Sequence, residues 1–69
     1  MKLVFEVTMV SGKKYKVNRD NKDKNITREV MISDFEKEIS ENEFIQTSTD
    51  LRLRSSHIES YNIILGSPV

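Results

Sequence analysis

Apolar and polar residues alternate from Leu3 to Val10, with Leu3, Phe5, Val7 and Met9 on one side of an extended chain and Val4, Glu6, Thr8 and Val10 on the other. A period of two sustained over that length predicts a half-buried β-strand. Ser11-Gly12 follows, and Gly12 can take the positive φ that a tight hairpin turn requires. Lys14 to Asn18 resumes the alternation, with Tyr15 and Val17 on one face and lysines on the other. Folding back at Ser11-Gly12 therefore sets Tyr15 and Val17 beside the apolar row of the first strand. Residues 19 to 25 read Arg-Asp-Asn-Lys-Asp-Lys-Asn and hold no apolar side chain. With nothing to bury, they are expected as an exposed, mobile loop.

A helix comes next. Ser33 with Glu36 three residues on has the form of a capping box, and Asp34 lies where the helix dipole favours negative charge. Ile32, Phe35 and Ile39 form one apolar stripe, and Glu36, Lys37, Glu38 and Glu41 cover the remainder. This predicts a helix over 33–41 ending at Asn42, with Thr27 as the alternative cap of an earlier start. Three short β-type segments complete the chain: Phe44 to Thr47, Leu51 to Arg54, and Glu59 to Leu65. In the last of these Tyr61, Ile63 and Leu65 share a side and Ile64 takes the other. Ser55-Ser56-His57 reads as a tight connection, and Pro68 stands near the end of the chain.

The order is that of a single α+β domain over residues 1–69, ββαββ(β). It is an antiparallel sheet, made of the N-terminal hairpin and two or three C-terminal strands, packed on one short helix. So short a helix leaves part of the sheet face to be covered by a curled half-barrel or by a second copy.

Composition narrows the function classes. No apolar run is longer than Ile63-Ile64-Leu65, far below the roughly 18 residues that cross a bilayer. Met1-Lys2-Leu3-Val4-Phe5 opens like a secretion signal, but Glu6 interrupts it at once, so an unprocessed cytoplasmic protein with no membrane contact is expected. Asn25-Ile26-Thr27 matches a glycosylation acceptor, a pattern without weight where no secretion signal precedes it. The chain has 69 residues, no cysteine, no alanine and one histidine, which removes disulfides, thiolate chemistry and Cys/His zinc sites. His57 neighbours Ser55, Ser56 and Glu59, but nucleophile–base pairs are assembled from distant segments rather than from one turn. The glycines at 12 and 66 make no phosphate loop, and Glu36 and Glu38, two apart on a helix, face different ways. No enzymatic activity, cofactor or metal is expected.

Eleven basic and eleven acidic residues give zero net charge, yet they are segregated. Residues 1–28 carry eight basic against three acidic side chains, and residues 29–50 carry one against seven. The basic set is Lys13, Lys14, Lys16, Arg19, Lys22 and Lys24, on the hairpin and the loop after it. With Tyr15 as a stacking ring, it is a candidate nucleic-acid or partner contact. The plainer reading makes Tyr15 a core residue and the lysines a guard against edge-to-edge pairing. Arg52 and Arg54 alternate with Leu51 and Leu53 and so emerge together on an outer face, where they can pair with the acidic helix of the same or a neighbouring chain. Glu36, Glu38 and Glu41 form a candidate acidic partner face. Opposite patches on one small domain also suit two-fold or head-to-tail self-association, including a homodimer.

The hairpin Phe5-x-Val7 … Ser11-Gly12-Lys13-Lys14-Tyr15-x-Val17, the helix start Ile32-Ser33-Asp34-Phe35, the link Asn42-Glu43-Phe44-Ile45 and the close Ser55-Ser56-His57-Ile58-Glu59-Ser60-Tyr61 carry a resemblance. Together they resemble small, mostly uncharacterised ββαββ accessory proteins of phages and mobile elements of low-GC Gram-positive bacteria. The Lys-, Ile-, Asn- and Ser-rich composition without alanine is that of an AT-rich genome. The resemblance implies no catalytic residues. It implies a small accessory protein that acts by binding, a protein–protein interaction or modulator module, with nucleic-acid binding through 13–24 as the alternative.

Overall fold

The computed structural model describes residues 1–67, so Pro68 lies outside the described residues, as does the side chain of Leu65. The elements are β1 (Lys2–Met9), β2 (Lys14–Asp20), α1 (Arg28–Glu41), β3 (Phe44–Gln46), β4 (Arg52–Arg54), a 3-10 turn at Ser55–His57, and β5 (Ile58–Ser67). The α+β class and the element order are those expected. The strands, however, divide into a three-stranded antiparallel sheet, β2-β1-β5, and a separate hairpin, β3-β4. That hairpin is anchored beside β2 by Ser48, whose backbone N–H and hydroxyl both donate to the Lys16 carbonyl, each at 3.1 Å. Both sets of strands contribute to one core with the helix.

The first hairpin forms as its alternation dictates. Gly12 sits at φ +90°, and the register sets Val17 opposite Phe5 and Tyr15 opposite Val7. Leu3, Phe5, Val7 and Met9 are all buried, and Val17 joins them in the core. β1 is the central strand, so even Val4 on its other face is buried between ladder neighbours.

Three expectations need correction. The helix begins at the Thr27 cap, whose Oγ1 accepts the Val30 N–H at 3.2 Å, and Ser33 lies in the second turn, exposed. The longer helix is favoured because it brings Met31 one turn ahead of Phe35 on the buried face. Ile32 and Ile39 only flank that stripe. Second, β2 runs on through Arg19 and Asp20, so the polar loop starts at Asn21. Two successive Asx turns shape the loop: Asn21 Oδ1 accepts from Asp23 N and Asp23 Oδ1 from Asn25 N, both at 2.9 Å. Third, β5 steps out of register twice, skipping Glu59 and Ile64 in its ladder with β1. The step at Ile64 pairs Leu65 with Val4, not with the residue that continues the Tyr61–Ile63 alternation.

The core centres on Phe5 and Phe35, whose rings stack with centroids 4.0 Å apart and 14° between planes. Tyr61 meets both edge-on, at 5.8 and 5.3 Å. Ile45 and Leu53, from the second hairpin, complete the cluster with Met31.

The two possible helix starts are separable by substitution. Thr27→Ala should lower unfolding free energy by about 1 kcal/mol, the usual value of a lost N-cap. Ser33→Ala, at an exposed interior position, should be neutral or slightly stabilising. Urea denaturation of both variants provides the comparison, and a larger loss at Ser33 would contradict the observed cap.

Candidate functional site

The basic residues do not form one surface. Lys14 and Lys16 point to the outer face of the sheet, where Lys16 lies opposite Glu6 in the ladder and Lys14 Nζ sits 3.9 Å from Glu6 Oε1. Arg19 is in phase with Tyr15 and Val17, so it emerges on the inner face, toward the helix. There its Nε donates to Glu38 Oε1 at 3.0 Å and its Nη2 to Glu38 Oε2 at 2.6 Å, a bidentate pair. Arg19 Nη1 also donates to the Asn18 carbonyl at 2.8 Å and the Gln46 carbonyl at 3.4 Å. Its guanidinium carbon lies 5.7 Å from the centre of the Phe35 ring. Arg19 therefore ties β2, α1 and β3 together and is spent on the fold. Lys13, Lys22 and Lys24 are exposed on the hairpin turn and the following loop. Tyr15 packs against the core and is half-buried, which takes from the lysines the ring that a base would stack on.

The acidic helix residues are divided in the same way. Glu38 faces Arg19, and Glu36 lies on the β5 side, where its Oε2 accepts the Tyr61 hydroxyl at 2.7 Å. Burial, and after it the hydrogen bond and negative charge of Glu36, push the Tyr61 phenol up from 10.0 to about 12. Glu41 is exposed near the helix end. Arg52 and Arg54 do share an outer face, and both lie over Phe44, at 4.6 and 5.1 Å from its centre. Arg54 pairs with Glu43 at 3.3 Å, a carboxylate just past the helix rather than on it.

What the arrangement leaves open is the margin of the sheet. β5 hydrogen-bonds to β1 along one side, and no described strand pairs with its other side. Between that edge and α1 runs a shallow groove of about 380 Å³ lined by Glu36, Ile39, Ile58, Glu59, Ser60 and Tyr61. Its apolar floor is Ile39, Ile58 and the Tyr61 ring, and the carboxylates of Glu36 and Glu59 stand on its rim. A smaller recess of about 120 Å³ on the opposite flank is lined by Arg19, Asp34, Phe35 and Glu38, with the Arg19–Glu38 ion pair in its wall. Of the β5 groove, only Glu36 was a candidate from sequence. Ile58, Glu59, Ser60 and Tyr61 become a surface because β5 crosses back to pair with β1, a nonlocal event without a local signature. No helix of the described residues is long and apolar enough to cross a membrane. Compared with known protein families, curated proteins and solved structures, the chain matches none.

The two ion pairs should differ in energy. A double-mutant cycle on Arg19→Ala and Glu38→Ala should give a coupling of about 1 kcal/mol, since the pair is bidentate and each side chain is only about 30% exposed. The same cycle on Arg54 and Glu43, 47% and 71% exposed, should give a coupling near zero. Equal couplings would contradict the tie assigned to Arg19.

Tyr61 sets an alkaline limit. The unfolded chain gives up the phenol proton near 10.0 and the folded chain near 12, so the folded state holds more protons in between. The stability Tyr61 contributes is complete below about pH 10 and is lost as pH rises through 10 to 12. Urea midpoints across that range should fall more steeply for the parent chain than for Tyr61→Phe. Parallel curves would remove the assignment.

Proposed function

We propose that this chain is a small, non-catalytic protein-binding module of the cytoplasm, an accessory or modulator protein that takes up an extended segment of a partner at the β5 edge. The single observation carrying this reading is the juxtaposition of an unpaired ten-residue strand edge with an apolar groove rimmed by Glu36 and Glu59. An open edge supplies backbone donors and acceptors to an added strand, and the adjoining groove supplies side-chain selection. The rim charges favour a segment in which basic and apolar residues alternate. The resemblance to accessory proteins of phages and mobile elements supports the same class.

The nucleic-acid reading draws on Lys13, Lys16, Lys22 and Lys24, which are all exposed. It is the weaker of the two because Arg19 is bound to Glu38 and Tyr15 is packed inward. Site-specific photo-crosslinking in the native host distinguishes them. A crosslinker at Ser60 should capture a protein, whereas one at Lys22 should capture none. Retention on an immobilised single-stranded DNA or RNA column should match that of a neutral control at low salt. Crosslinks confined to position 22, with retention that falls steeply as salt is raised, would replace this reading with nucleic-acid binding.

A further inference from the structure

We propose that the segment received at the β5 edge is β4 of a second copy of this chain, so that copies associate head to tail. This inference rests on the reading of the β5 edge as a binding surface and names its occupant.

Among the described residues β2, β3, β4 and β5 each keep a side that no strand pairs; on β2 Ser48 caps the Lys16 carbonyl, and on β3 Arg19 reaches the Gln46 carbonyl. β4, which pairs only with β3, and β5 are the two on which no described side chain caps a backbone group. The two edges carry opposite chemistry. β4 and the residue before it read Leu51-Arg52-Leu53-Arg54, an alternating apolar and basic strand. Leu51 is 47% exposed there, although it is a large apolar side chain. Arg52 lies over Phe44 and has no carboxylate partner among the described residues, whereas Arg54 is taken by Glu43. In the β5 groove, Ile39 and Ile58 offer apolar contact, and Glu59 is exposed without a cationic partner among the described residues. Leu53 is buried in the chain's own core, so the apolar and basic side chains on offer are Leu51 and Arg52.

Charge also decides between the ways of pairing two copies. Edge pairing of β5 with β5 would bring together two sets of Glu36 and Glu59, and pairing of β4 with β4 would bring together four arginines. Like charges directly opposed across a sheet are unfavourable, and more so as the interface loses water. Only β4 against β5 sets Arg52 toward Glu59. Because the two surfaces differ, the contact is heterologous, and repetition closes a ring or extends a filament.

Sedimentation velocity on the full chain tests this. The parent chain should show a mass that rises above one chain with concentration and falls with added salt. Arg52→Glu and Glu59→Arg should each weaken association by about tenfold or more. An equimolar mixture of the two variants should re-associate, because the Arg52 and Glu59 that remain lie on different chains. Arg52→Gln and Glu59→Gln, milder changes at the same exposed sites, should weaken it less and serve if a reversal unfolds the chain. A parent chain that stays monomeric up to millimolar concentration overturns the inference. So does an Arg52→Glu variant that associates like the parent, since that points to a two-fold β5 contact. In either case a protein crosslink at Ser60 would leave the underlying reading standing with a different partner, and its absence would end both.

Discussion

The structure depends on the stacking of Phe35 on Phe5. Phe5 is the middle of the central strand and Phe35 the middle of α1, and neither shows more than 1% of its surface to solvent. Removing a buried phenylalanine side chain typically costs about 3–5 kcal/mol. A single core in a chain of this size rarely supplies more than about the same amount. The stack is therefore comparable to the whole stability of the domain. Tyr61 closes the cluster from β5, so one set of three rings holds the helix on the sheet and holds the third strand against the second layer. The Tyr61 hydroxyl then reaches Glu36, which ties the polar rim of the groove to the aromatic core beneath it.

Around this centre the charged residues sort by face. Arg19 stands in the basic half of the sequence but on the inner side of β2, where the helix offers Glu38. One bidentate contact removes the strongest member of the basic set and one of the three candidate acidic residues together. The segregation of charge along the chain is thus partly a folding device, since it supplies the two sides of a contact between β2 and α1. What remains for a partner is the residue of that pairing: lysines on the hairpin and loop, Arg52 beside Phe44, and Glu36, Glu41 and Glu59 along the helix and β5.

Legibility in the sequence follows the range of the forces involved. The first hairpin could be read because period-two alternation and a glycine turn are local, and both survive intact in the fold. The helix start misled because Ser33-x-x-Glu36 has the form of a cap, while the decisive contribution is Met31, whose burial depends on Phe5 and the sheet. Arg19 carried a usable signal that went unread: continuing the Tyr15, Val17 phase by two residues puts it on the inner face. The division into two sheets and the position of β5 at an edge had no such signal. They depend on which strands meet across many residues, and so the groove was legible only at Glu36.

The two register steps in β5 bear on what its edge can accept. A flat unpaired edge of ten residues would invite indiscriminate pairing, and bulges are a common way to prevent it. The steps at Glu59 and Ile64 break the ladder at both ends of Ser60–Ile63. A visiting strand therefore finds only that short regular window. So few backbone hydrogen bonds give little affinity by themselves, and selection passes to the side chains beside the window, Ile58 and Glu59 on one flank and Ile39 and Glu36 from the helix. β4, with three residues and two arginines, matches the window in both length and charge. A long hydrophobic strand matches it in neither.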